Sequence, residues 1–167
     1  TTPIEVLRKL QYVSKHCYLL ESAEPDQTWG RYTFLGYDPR MEITCTDGTT
    51  TIRAGSKFEM KTDHPGDVLR QILAENKSPR ITSLPPFTGG LVGYFSYDYI
   101  KYAEPKLSLD AEDEEGFRDV DLMLFDKVIA FDHYRQKIIL IINMLCSEVE
   151  TEYHRSIMEL QNMRELI

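Results

Sequence analysis

Pro85-Pro86-Phe87-Thr88-Gly89-Gly90-Leu91-Val92-Gly93-Tyr94-Phe95-Ser96-Tyr97-Asp98 is the stretch whose reading decides the fold. Two prolines fix φ and bring the chain in extended. Gly89, Gly90 and Gly93 then interrupt a segment that is otherwise apolar or aromatic. A glycine inside a strand marks a place where another backbone, or a ligand, comes too close for a Cβ. Two readings follow: a buried strand with a bulge at its start, or a central strand whose glycines make room for something specific. A nucleotide site is not among them. Gly89-Gly90-x-x-Gly93 lacks the G-x-G-x-x-G spacing, no helical pattern follows it, and there is no Walker lysine.

Upstream, Thr2-Pro3-Ile4-Glu5 reads as a helix start: a threonine cap, proline at the first helical position and a glutamate reaching back. Ile4, Leu7 and Leu10 supply its apolar stripe. A strand over Cys17–Ser22 follows, then a turn region from Ala23 to Gly30 that holds Trp29. Arg31–Gly36 is a second strand candidate. Met41–Cys45 and Thr50–Arg53 alternate and pair as a hairpin across Asp47-Gly48, a strong turn signal. His64-Pro65 opens a helix with Val68, Leu69, Ile72 and Leu73 on one face.

Downstream, the acidic run Asp110–Glu115 lacks EF-hand spacing and reads as a solvated loop. Asp121–Phe131 and Lys137–Leu145 are apolar runs joined by Asp132–Gln136. Ile138–Ile142 has no polar face, as in strands covered on both sides. Ser147-Glu148-Val149-Glu150 has the form of a second capping box. The helix it opens carries Val149, Tyr153, Ile157, Leu160 and Met163 on one stripe. That helix runs to Ile167 with no Gly, Asn or Pro stop, which suggests a chain continuing into a further domain.

The 167 residues suffice for one sizeable domain, burying about 68–70% of the surface the unfolded chain exposes. A net charge of −8 and a pI near 5.0 argue against nucleic acid or an anionic membrane as partner. No apolar run reaches the roughly 18 residues a spanning helix needs. Cys17, Cys45 and Cys146 are odd in number and widely spaced, which suits a reducing cytoplasm better than disulfides or a zinc site. No catalytic or metal-binding constellation stands out: there is no G-x-S-x-G, no H-E-x-x-H and no P-loop. His64 reads as a helix-boundary residue, His133 as a turn residue and His154 as a helix-surface residue. The Tyr94, Tyr97, Tyr99, Tyr102 cluster reads either as an aromatic pocket or as the rim of a core.

Three linked motifs carry a family resemblance. Leu19-Leu20-Glu21-Ser22, then Gly30-Arg31-Tyr32-Thr33-Phe34-Leu35-Gly36, then Pro86–Asp98, continuing through Asp119-Val120-Asp121-Leu122, resemble the amino-terminal region of anthranilate synthase component I. The resemblance spans nearly the whole chain, taken as residues 1–167 of that region. It implies an α+β fold of largely antiparallel β-sheets with helices packed on the outer faces, part of a layered α/β/β/α architecture. It implies a parent enzyme that converts chorismate to anthranilate in tryptophan biosynthesis. Ammonia would come from a partner glutamine amidotransferase, component II. The chorismate-binding half, with its catalytic acids and magnesium ligands, would follow Ile167. This chain alone is therefore expected to hold no cofactor and no chorismate-consuming activity. Aminodeoxychorismate synthase, from folate synthesis, shares the architecture and is the alternative reading. A free-standing binding or scaffold protein is a third.

In that family the L-L-E-S strand walls the site of the feedback inhibitor tryptophan. Carried over, Leu20, Glu21 and Ser22 are expected inhibitor contacts, with Tyr32 as a neighbouring wall. An indole needs an apolar slot, and a zwitterion needs hydroxyl, carboxylate or backbone partners. Leu19 is expected to be core. The apolar strands and the last helix, without a further half to cover them, are expected to drive weak self-association that salt strengthens.

Overall fold

The computed structural model describes residues 1–22, 30–107, 109 and 114–167. In chain order the elements are α1 (Pro3–Val13), β1 (Cys17–Glu21), β2 (Tyr32–Tyr37), β3 (Met41–Thr46), β4 (Thr49–Ala54) and β5 (Ser56–Lys61). Then come α2 (Pro65–Glu75), β6 (Gly90–Phe95), a 3₁₀ turn at Tyr97–Tyr102, β7 (Val120–Phe125), β8 (Lys127–Asp132), β9 (Lys137–Ile142) and α3 (Val149–Leu166). The chain divides into two compact units, each assembled from separated segments: Thr1–Pro39, Ser78–Gly89 and Phe125–Ile167 in one, Arg40–Lys77 and Gly90–Leu124 in the other. Each unit has one antiparallel sheet and its own helices, so the class is α+β as the motifs imply.

The first unit holds a four-stranded sheet in the order β1-β2-β8-β9. Leu35, Ile129 and Phe131 point to one face and pack with Val6 and Leu10 of α1 and Met163 of α3. The capping box at α1 is formed: Glu5 N–H donates to Thr2 Oγ1 at 3.3 Å, and Thr2 N–H donates to Glu5 Oε2 at 3.0 Å. The stripe differs from the expected one, because the inward side is centred on Val6 and Leu10 while Ile4 is exposed. Thr2→Ala is expected to lower stability by about 1 kcal/mol. A urea midpoint equal to the parent's would mean that packing alone holds α1.

The second unit holds five strands in the order β5-β4-β3-β7-β6, with α2 laid on one face. Leu69 and Ile72 of α2 meet Ile43, Cys45, Val120, Leu122 and Leu124. Leu73, expected on the same apolar face, is exposed. The Asp47-Gly48 hairpin forms as expected, with φ of 47° and 74° at the two turn residues. β5 had no clear sequence signal, since Ser56–Lys61 is charged and its strand is an exposed sheet edge.

Several expectations are corrected. The glycine-rich strand β6 is a sheet edge, not a central strand. Its Gly93 nevertheless makes room for a backbone: a Cβ there would collide with the Asp121 carbonyl oxygen and lie 2.9 Å from Leu122 Cα. The run Asp121–Phe131 is two strands, β7 and β8, in different sheets, parted at Asp126. β9 is also an edge, so Ile138 is 39% exposed although Ile141 is buried. At α3 the N-cap is Glu148 and no side chain caps the helix, so the Ser147 box does not form. Of the α3 stripe only Met163 is buried. The turn region at Ala23–Trp29 and positions 110–113 of the acidic run lie outside the described residues.

Candidate functional site

Antiparallel pairing of β1 with β2 sets Leu20 opposite Phe34 and Glu21 opposite Thr33. Side chains alternate along a strand, so Leu20, Tyr32 and Phe34 share one face, while Leu19, Glu21, Thr33 and Leu35 share the other. Leu19 packs against the cluster that holds Val6 and Leu10, as expected of a core residue. Leu20 is 44% exposed. Ser22 is exposed just past the end of β1. The structure therefore brings Leu20 and Tyr32 together and turns Glu21 the opposite way.

The face of Leu20 carries a run of aromatic rings. Tyr32 stacks on Phe34 with centroids 5.6 Å apart and planes at 26°. Phe34 meets the edge of Phe87 at 5.5 Å, Phe87 meets Tyr18 at 6.3 Å, and Tyr18 meets Phe125 at 4.7 Å. Offset and edge-on ring pairs of this kind each add about 0.5–1.5 kcal/mol beyond burial. The Tyr18 hydroxyl is buried with no hydrogen-bond partner among the described residues. Burial pushes its ionisation well above the usual phenol range. The period-2 alternation of Tyr32 and Phe34 was visible in the sequence. Phe87 and Phe125 were not, because only the fold brings residues so distant in sequence to that face.

One end of the same sheet is held by a buried ion pair. Arg31 donates through Nε to Asp132 Oδ1 at 3.0 Å and through Nη2 to Oδ2 at 2.6 Å. Its guanidinium also faces the Tyr32 ring at 4.8 Å and the Tyr134 ring at 5.5 Å. Asp132 is 2% exposed and accepts a further bond from Arg135 N–H at 3.0 Å. The Arg31 hydrogen bonds, opposed by burial, hold its carboxyl down to about 2. Arg31 thus gives Tyr32 a fixed cationic neighbour.

On the opposite face, Thr33 Oγ1 donates to Glu21 Oε1 at 3.3 Å and lies 2.7 Å from His133 Nε2. Thr33 is fully buried, and the His133 ring is stacked on Phe131 at 6.5 Å and 22°. His133 does sit in the β8–β9 turn, as the sequence suggests. Its ring contact with Thr33 could not be read from spacing, since 100 residues separate the two.

The second unit has a polar cluster of its own. Lys101 Nζ lies 2.8 Å from Asp119 and 3.0 Å from Asp47. Tyr102 donates its hydroxyl proton to Asp119 at 2.7 Å, and Asp47 N–H donates to the same carboxylate at 2.9 Å. Burial works against the ionised form of Asp119, yet the three bonds outweigh it and hold the carboxyl below its ordinary value. Gly48 N–H donates to the Tyr102 oxygen at 2.7 Å, so the cluster pins the β3–β4 turn. Its members satisfy one another, which makes it a brace rather than a reaction centre. Tyr99 and Tyr102 pack on the core, while Tyr97 is 86% exposed, so the four tyrosines do not form one pocket. Among the described residues no group of three or more His, Cys, Asp or Glu could hold a metal ion. No helix among them is long and apolar enough to cross a membrane.

Two antiparallel sheets with helices, and motifs from L-L-E-S to the glycine-rich strand, define the class. The family described as chorismate binding enzyme matches residues 15–166, and the chain belongs to that family. Anthranilate synthase component 1 of Acetivibrio thermocellus is 35% identical over 86% of this chain and 29% of its own length. The protein of the same name from Acinetobacter calcoaceticus is 34% identical over 99% of this chain and 34% of its own. Aminodeoxychorismate synthase component 1 of Bacillus subtilis is 32% identical over 89% of this chain and 30% of its own. Among solved structures, anthranilate synthase component I from Streptococcus pneumoniae TIGR4 matches 98% of this chain and 35% of its own, with a TM-score of 0.62 and 28% identity. The chain thus spans about a third of the length of the relatives it matches.

Proposed function

We propose that this chain is the amino-terminal, regulatory and structural part of an anthranilate synthase component I. The supporting observation is the 34% identity to the Acinetobacter calcoaceticus enzyme over 99% of this chain. On this reading the longer protein acts in the cytoplasm in tryptophan biosynthesis. It converts chorismate to anthranilate with ammonia from an amidotransferase subunit, and its chorismate-binding half carries the Mg²⁺. The chain itself supplies one wall of a tryptophan feedback site. Leu20 and Tyr32 offer the indole an apolar, aromatic surface, and Glu21 and Ser22 offer polar groups at the strand end. On its own the chain self-associates weakly through its exposed apolar α3 and β9 positions.

Ser22→Phe in the longer protein tests the site. The inhibition constant for tryptophan is expected to rise at least about fivefold, with uninhibited turnover unchanged, because a lost polar contact costs roughly 1–3 kcal/mol. Unchanged inhibition with collapsed turnover would place Ser22 in the structure or the chemistry instead. The similarity to the Bacillus subtilis enzyme supports one other reading, the corresponding part of an aminodeoxychorismate synthase. Product analysis separates the two: anthranilate formed from chorismate supports the first, aminodeoxychorismate the second.

A further inference from the structure

We propose that His133, acting through Thr33, positions the Glu21 carboxylate as the group that receives the ammonium of the aromatic amino acid. The assignment rests on the tryptophan reading above and adds to it two residues outside the L-L-E-S strand.

The geometry begins with the single proton of the Thr33 hydroxyl. The proposed row gives that proton to Glu21 Oε1 at 3.3 Å, the alternative set by the other His133 tautomer being Nε2. His133 Nε2, 2.7 Å from the same oxygen, must then bring its own hydrogen. The row runs His133 to Thr33 to Glu21, each group donating to the next. If His133 instead carried its proton only on Nδ1, the hydroxyl would turn to Nε2 and release Glu21. The ring is held where this choice matters. It stacks on Phe131, its backbone N–H donates to Arg31 O at 2.9 Å, and its carbonyl accepts from Gln136 Nε2 at 2.7 Å. Thr33 has no access to water that could replace either partner.

Glu21 stands at the end of an edge strand and is exposed, so without the row its carboxylate would sample many rotamers. Among the described residues its Oε2 has no partner, which leaves one oxygen for a ligand cation. Fixing one carboxylate oxygen from behind and presenting the other reduces the ordering cost of binding an ammonium. Neither Thr33 nor His133 touches the ligand on this arrangement. Both are positioning residues.

The test has two arms on the chain of 167 residues. Without ligand, NMR in water should show a slowly exchanging Thr33 hydroxyl proton with a cross-peak to the His133 ring. Glu21→Gln should shift the His133 ring nitrogens, while Ser22→Phe should not. Absence of the hydroxyl signal, or a ring blind to Glu21→Gln, overturns the proposal whatever tryptophan does. With ligand, calorimetry compares L-tryptophan with indole-3-propionate, which keeps ring and carboxylate and lacks the ammonium. Thr33→Val and His133→Phe, which keep shape, should weaken tryptophan about tenfold and indole-3-propionate less than about twofold. Thr33→Ser and His133→Gln, which retain a donor, should return tryptophan to within about threefold of the parent. Equal weakening of both ligands, or none, overturns the positioning role. A parent chain and longer protein that both ignore tryptophan overturn the inhibitor reading instead, and the ligand-free arm then decides the row by itself.

Discussion

Gly93→Ala is expected to detach β6 from β7 and destabilise the chain by more than about 3 kcal/mol. Two costs combine. The residue has φ of 152°, which a side chain adopts only under strain. In addition, the new Cβ would overlap the Asp121 carbonyl oxygen and lie 3.0 Å from its carbonyl carbon. Those atoms belong to the backbone of β7, which is held on its other side by β3, so they cannot retreat as a side chain could. Gly55→Ala provides the control, with φ of 77° and nothing within 4 Å of its Cβ. It carries the milder strain of a φ near the left-handed region, without any collision, and should cost about 1 kcal/mol. Urea unfolding of the two variants, with hydrogen exchange at the β7 amides, separates the terms. Equal midpoints would show that strain alone explains the glycine.

Asp132→Ala is the second large effect, expected at about 3 kcal/mol because it leaves Arg31 without its carboxylate. Arg31 keeps 25% of its side-chain surface in water, which places the cost at the low end for a buried pair. The effect has a pH signature of known sign. The Asp132 carboxyl is held down to about 2 from an ordinary 3.8, so the folded state favours the ionised form. Its contribution is complete above about pH 4 and is lost as the pH falls through 4 towards 2. The parent should therefore lose stability across that window, and Asp132→Ala should lose less. Parallel acid limbs for the two proteins would show that the ion pair does not contribute to folding.

Local chemistry made the secondary structure legible where one short-range cause dominates. Thr2-Pro3-x-Glu5 caps α1, Asp47-Gly48 makes a hairpin turn, and Pro65 starts α2, because each acts through atoms only a few residues apart. The same reasoning failed at Ser147, where a capping motif is present and unused. It failed too at Ser56–Lys61, where exposure at a sheet edge removed the alternation that marks a strand.

By itself the sequence determined the class, the family motifs and the strand that holds Leu20 and Glu21, although Ser22 falls just past its end. It also determined that Gly93 meets something close, since a glycine amid apolar strand residues has few other causes. Only the tertiary structure decided what that neighbour is: the β7 backbone, at an edge and not in the middle of a sheet. It alone decided that Asp126 parts one apolar run into two sheets, because hydrophobicity marks burial and does not name the partner strand. It alone set Leu20 with Tyr32 and turned Glu21 towards Thr33 and His133. Residues 12 and 100 positions from Thr33 meet it through pairing register, and register is a property of the assembled sheet.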